Sequence, residues 1–204
     1  MSHYEQQHLT GIPVSPAPNK VLSEEEILRL FAVAKKGSPR DYTMIRMAIF
    51  TGLRNSELLG LTIEDIRPFG AVTRVLELPA RIAKNKKSRS IPLRSEIQQE
   101  LSHFLEWKAL KGEPMNDWSP LFVSQKTHRR LSPRDFQRIV KQLAITAIHR
   151  KIHPHVLRHT FATKAMRMAP TPVVKELLGH KSLQSTMRYV HPNSDDLTRC
   201  VEGM

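Results

Sequence analysis

The sequence predicts a mainly α-helical domain with a small antiparallel β-sheet, an α+β fold. Three observations predict it. Apolar residues recur at helical spacing through most of the chain, and Ser or Thr beside proline marks helix starts repeatedly. Only the stretch from about Val72 to Leu93 alternates with period two, around a lysine-rich turn. At 204 residues the chain can bury one sizeable core, or at most a core with a small appendage.

Residues 1–22 are polar, with Pro13, Pro16 and Pro18, and read as an extended N-terminal arm. Ser23 followed by Glu26 is a capping-box pattern that opens a helix running to about Lys36. A second helix covers Pro39 to Phe50 and is ended by Gly52. A short helix follows from about Asn55 and leads into LTIEDI. VTRVLELP and RSIPL read as two strands of a hairpin, with KNKKS as its turn. Helical period returns over Ser95–Leu110, with Ile97, Leu101, Phe104, Leu105 and Leu110 as the apolar stripe. PLFVS (120–124) reads as a short strand. Ser132-Pro133, Thr171-Pro172 and Ser182 mark three further helix starts as N-cap candidates. Leu58, Leu59, Leu61, Val173, Val174, Leu177 and Leu178 are assigned to the core. The domain so defined spans 23–193 and leaves 194–204 as a C-terminal tail.

Charge narrows the function. Lys and Arg number 32 against 19 Asp and Glu, a net charge of +13. Such a surplus favours a polyanionic partner, because each cation set on a phosphate releases condensed counterions. Charge alone fits RNA binders, ribosomal proteins and membrane-surface proteins as well. A single cysteine, Cys200, excludes an internal disulfide and points to a reducing compartment. No apolar run approaches the roughly 18 residues of a membrane span, and the N-terminus has no apolar core of a signal peptide. A cytoplasmic protein is expected.

Four segments carry chemistry. TGLRNSELLGL (51–61) places Arg54 between a glycine break and a helix start. AKNKKSRSIPL (83–93) is a basic turn with Lys84, Lys86 and Lys87. HPHVLRHTFAT (153–163) sets His155 and Arg158 three apart, on one helical face. LLGHKSLQSTMRYVHP (177–192) holds His180 and, nine residues on, Tyr189. Arginine offers a planar fork for two phosphate oxygens, and lysine and histidine can move protons near neutrality. A tyrosine phenol can attack phosphorus once deprotonated. No carboxylate cluster of the two-metal kind is present. The inventory suits a metal-free phosphoryl transfer through a covalent tyrosyl intermediate.

Each residue also has a plainer explanation. Arg54 and Glu57 fit an ordinary i,i+3 surface pair. His155 and His159 are spaced i,i+4 as in a zinc site, but they lack a carboxylate or cysteine partner, so no metal is expected. His153 and His159 read as packing or hydrogen-bonding residues, and Tyr189 alone is no different from a core tyrosine.

Together, in this order and spacing, the four segments resemble the catalytic domain of the tyrosine recombinase (phage integrase) family, from about Leu22 to His191. The family's pattern is Arg, Lys, His-x-x-Arg, His or Trp, and Tyr. Arg54 fills TGLR-x-SEL, His155 and Arg158 fill H-x-L-R-H, His180 fills LGH, and Tyr189 lies at the expected distance. The resemblance implies that Arg54 and Arg158 clamp the scissile phosphate and that His155 takes or relays the Tyr189 proton. It further implies that His180 donates to a phosphate oxygen and that Lys84, eight residues before Pro92, protonates the departing 5′ oxygen. The implied product is a 3′-phosphotyrosyl bond that needs no cofactor, metal or ATP for religation.

The implied partner is double-stranded DNA with paired sites, bound by a homotetramer whose subunits are monomeric or weakly associated when free. Relatives carry an N-terminal DNA-binding domain, for which the residues before the match are too few. The chain is then either a catalytic fragment or a short recombinase complete as it stands, which Met1 favours. The short form resembles recombinases that invert fimbrial promoter segments, and it implies help from accessory DNA-bending proteins. Leu197 and Val201 in the tail form a stripe suited to docking on a neighbouring protomer. Segments 126–141 and 149–151 are candidate DNA contacts. A type IB topoisomerase and a non-catalytic DNA-binding regulator are the competing functions.

Overall fold

The structure is a computed structural model that describes residues 21–187, 189 and 202. Among these residues the elements run α1 (Glu24–Lys35), α2 (Pro39–Thr51), α3 (Asn55–Gly60), α4 (Ile63–Ile66), β1 (Val75–Leu78), β2 (Arg89–Pro92) and α5 (Ser95–Leu110). They continue with α6 (Pro133–Ile148), α7 (Pro154–Met168), α8 (Thr171–Leu178) and α9 (Gln184–Met187). The architecture is mostly helical with one small antiparallel sheet, as expected. No helix among the described residues is long and apolar enough to cross a membrane. The arm up to residue 20 and the tail stripe of Leu197 and Val201 lie outside the described residues.

Helix α2 is the centre of the packing, with α1, α3, α5 and α7 against it. Its Met44, Ile45, Met47, Ala48 and Ile49 are all buried and together cover somewhat more than half of its circumference, as a central helix requires. Helix α1 is fixed at its start by the capping box: Ser23 Oγ accepts from the Glu26 N–H (3.1 Å) and Glu26 accepts from the Ser23 N–H (2.9 Å). Arg150 then clamps the Glu26 carboxylate with two contacts, at 2.7 and 2.9 Å, tying the far end of α6 back to α1.

Gly52 ends α2 in the left-handed conformation (φ 61°). A Cβ there would stand 2.2 Å from the Phe161 ring of α7, so this glycine also permits the close approach of α2 and α7. Gly52→Ala therefore combines left-handed strain with overpacking and is expected to cost about 2–4 kcal/mol. A urea midpoint unchanged by the substitution would show that the two helices do not meet this closely.

In the sheet, Leu76 pairs with Ile91 and Leu78 with Arg89, and these four side chains form its buried face. The strands are shorter than expected, and residues 79–88 form a longer irregular loop in place of a five-residue turn. The proposed strand 120–124 is not one. Thr62 bridges Pro120 while Val123 bridges Arg130, so its two ends pair with different segments.

Leu110 is 87% exposed and does not belong to the α5 stripe. At 3.6 residues per turn it lies about 220° around from Ile97, whereas Lys108 lies about 20° away. Lys108 is accordingly buried, and its charge is met by Glu113 at 2.9 Å. On α8 the single buried stripe is Val174 and Leu178; Val173 is exposed and Leu177 only partly covered. Thr171 is the first helical residue of α8 rather than its cap, which is Pro170.

Candidate active site

The six residues singled out in the sequence, Arg54, Lys84, His155, Arg158, His180 and Tyr189, line one open groove of about 810 Å³. They come from five separate parts of the chain, and the local structure at each explains its placement.

Arg54 is the cap residue of α3, directly after the turn that Gly52 makes. Its backbone N–H donates to Glu57 Oε2 (2.9 Å) and its Nη1 to Glu57 Oε1 (2.7 Å). The pair is not a surface pair, since the Glu57 side chain is 0% exposed. Glu57 also receives the fork of Arg89, at 3.1 and 2.8 Å. One buried carboxylate thus serves two arginines.

Arg158 is buried on α7. Its Nη1 donates to Gly52 O in a short contact, and its Nη2 donates to Leu178 O (2.8 Å) and lies 3.1 Å from His180 Nε2. A guanidinium only donates, so His180 Nε2 is the acceptor and its proton sits on Nδ1, facing Thr186 Oγ1 at 2.9 Å.

The last carbonyls of α8 organise these side chains. Leu177 O accepts from Arg89 Nε (2.9 Å), Leu178 O from Arg158, and Gly179 O from both Arg54 Nη2 (3.1 Å) and Asn85 Nδ2 (3.1 Å). A helix C-terminus exposes carbonyls without intrahelical partners and carries partial negative charge, so it is a natural anchor for cations. Three successive carbonyls here hold three arginines in a fan.

Lys84 lies exposed on the 79–88 loop, which Asn85 fastens to Gly179. Lys84 lines both the groove and a smaller adjoining hollow of about 290 Å³, whereas Lys87 lines only the hollow. Tyr189 is 5% exposed and packs on Ala162, Val174 and Leu178. Its ring meets the edge of His159 at 4.9 Å between centroids and stacks nearly parallel to His180 at 6.1 Å. His159 in turn meets His155 at 4.4 Å, so it connects His155 with the tyrosine through ring contacts. His153 caps α7 and its Nδ1 lies 3.4 Å from Gln137 Nε2. Among the described residues no group of three or more His, Cys, Asp or Glu side chains is placed to hold a metal ion.

Crowded positive charge dominates the electrostatics of the groove. Burial and the neighbouring Arg54 charge push the Arg158 guanidinium down to about 10, with Glu57 and Tyr189 offsetting part of the effect. Burial alone would raise the Glu57 carboxyl. The hydrogen bonds and charge of Arg89, together with the Arg54 contacts, overcome it and hold Glu57 at about 2. The folded value lies below the ordinary 4.5, so the carboxylate stabilises the fold above about pH 4.5 and loses that contribution as pH falls through about 2. Glu57→Gln is expected to cost about 3–5 kcal/mol at pH 7, because it leaves Arg89 buried without its counterion. The urea midpoint of the variant should then fall less steeply below pH 4.5 than that of the wild type; parallel curves would contradict this assignment.

Two residues of this site carried no assigned role in the sequence, Glu57 and Arg89. A signal for Arg89 existed, since it stands two before Ile91 in RSIPL and shares its inward face.

The family model described as the phage integrase family matches residues 20–195. The tyrosine recombinase XerA of Pyrococcus furiosus is 34% identical over 203 residues, which cover 97% of this chain and 66% of that protein. A solved XerA recombinase superposes with a TM-score of 0.75 at 30% identity, covering 93% of this chain and 66% of the other. The XerH site-specific recombinase bound to its difH substrate, in a pre-cleavage complex, gives a TM-score of 0.72 at 25% identity, covering 98% and 58%. The chain spans about half to two thirds of the length of the curated relatives it matches.

Proposed function

The chain belongs to the phage integrase family, and on that premise we propose that it is a site-specific DNA recombinase that cuts and rejoins DNA through a 3′-phosphotyrosyl intermediate. The observation that carries the proposal is the convergence of Arg54, Lys84, His155, Arg158, His180 and Tyr189 on one groove. The XerH site-specific recombinase neighbour, solved bound to its difH substrate, supports DNA as the partner.

In the proposed reaction the scissile phosphate enters against Arg54 and Arg158, whose crowded positive charge it relieves. Tyr189 Oη attacks phosphorus as its proton passes to His155, directly or by way of the adjacent His159 ring. The bond to the 5′ oxygen breaks, and Lys84 supplies the proton that this oxygen takes up. One P–O bond is exchanged for another, so religation needs neither ATP nor a metal. His180 begins with its Nε2 accepting from Arg158. Donation to a phosphate oxygen requires that nitrogen to take one proton from solvent as the anion binds, while Nδ1–H still faces Thr186 Oγ1.

The chain acts on two sites through a tetramer assembled on DNA, its subunits weakly associated when free. Accessory DNA-bending proteins would assist that assembly.

The test is to express the chain in cells that carry its native flanking DNA, trap protein–DNA adducts by denaturation, and sequence the attached DNA. Adducts at one or two short repeats, with product formation dependent on both, are expected. Adducts scattered along the genome would instead identify a topoisomerase. Binding without adducts would identify a DNA-binding regulator.

A further inference from the structure

Arg89 is the third arginine held by the α8 terminus, and it cannot itself touch DNA. It occupies the buried face of β2 opposite Leu78, and its side chain is 3% exposed. Nε, Nη1 and Nη2 are each committed to a fixed acceptor: Leu177 O at 2.9 Å, Glu57 Oε1 at 3.1 Å and Glu57 Oε2 at 2.8 Å. The site is shaped around it. Gly179 is left-handed (φ 60°), and a Cβ there would stand 2.9 Å from Arg89 Nη1 and 3.2 Å from its Cζ. The glycine of the LGH segment thus leaves room for Arg89.

We propose that Arg89 is a positioning residue for DNA cleavage, sharing the buried Glu57 carboxylate with Arg54 so that the Arg54 guanidinium stays available to the scissile phosphate. The proposal rests on the recombinase function proposed above. A buried carboxylate faced by Arg54 alone would draw the whole guanidinium onto itself, because low dielectric strengthens the attraction and only the Arg54 backbone N–H would otherwise meet it. With Arg89 present, Glu57 is satisfied by the Arg89 fork, and Arg54 keeps only one side-chain bond to it. One carboxylate then faces two guanidinium charges, so a net positive charge stays on the pair while Arg54 Nη2 is held on Gly179 O.

A neutral scissile group separates this role from a general contribution to folding. Single-turnover cleavage is measured with saturating full-length chain on the duplex recovered by adduct sequencing. The duplex carries either a normal phosphate or an uncharged methylphosphonate at the cleaved position. Arg89→Met is expected to slow cleavage of the phosphate about 100-fold, the scale of one lost electrostatic partner, and of the methylphosphonate by no more than about threefold. Equal losses on both substrates, or no loss on either, would overturn the proposal. Should Arg89→Met fail to fold, Glu57→Gln/Arg89→Met removes the carboxylate together with its partner. The double variant is expected to cleave the phosphate within about tenfold of wild type, because nothing remains to capture Arg54; a loss of about 100-fold would overturn the proposal. Tyr189-dependent cleavage by the wild-type chain in the same assay tests recombinase activity separately.

Discussion

Tyr189→Phe is expected to abolish covalent capture of DNA, lowering cleavage by a factor of about 10⁴ or more, while duplex binding and thermal stability change little. The change removes one oxygen. The ring remains, and so does its packing on Ala162, Val174 and Leu178 and its contacts with His159 and His180. Cleavage and stability should therefore separate cleanly. Binding is measured by titration of a fluorescent duplex and cleavage by denaturing gel. Residual adduct at more than a few per cent of wild type would mean that another nucleophile does the work.

The second large effect concerns Arg158. Arg158→Lys keeps one positive charge but loses the fork that joins Gly52, Leu178 and His180. A lysine ammonium cannot satisfy these groups and a phosphate together. Cleavage at saturating DNA is expected to fall by about 10²–10³, the scale of losing one preorganised electrostatic donor in a transition state. Stability should fall as well, because Leu178 O at the α8 terminus loses a buried donor. A variant that cleaves within tenfold of wild type would place the phosphate clamp elsewhere.

Much of this site is legible in the sequence because its residues are bound to local geometry. Arg54 follows a glycine that must be left-handed, Arg158 lies one helical turn from His155, and His180 follows the glycine that ends α8. What the sequence conceals is the set of buried charges behind the groove. Glu57 reads as half of a surface pair until α3 is seen to turn it under Arg89. Lys108 hides in the same way, since a lysine in an apolar phase is legible only once Glu113 is placed beside it. Both are cases of tertiary pairing overriding the usual exposure of charged residues. The misassigned strand at 120–124 has a related cause: an apolar run reports burial, and its partners are set by distant segments, here Thr62 and Arg130.

The most direct test of the central claim is the chemistry of the covalent bond itself. The full chain is incubated with a duplex of its mapped site in the presence of a metal chelator and quenched in denaturant. The DNA-linked peptide is then digested and sequenced by mass spectrometry. A phosphodiester joining the Tyr189 oxygen to a 3′ DNA end, formed undiminished in chelator, is the expected result. Linkage through another residue, linkage to a 5′ end, or loss of the adduct on chelation would contradict the proposed mechanism.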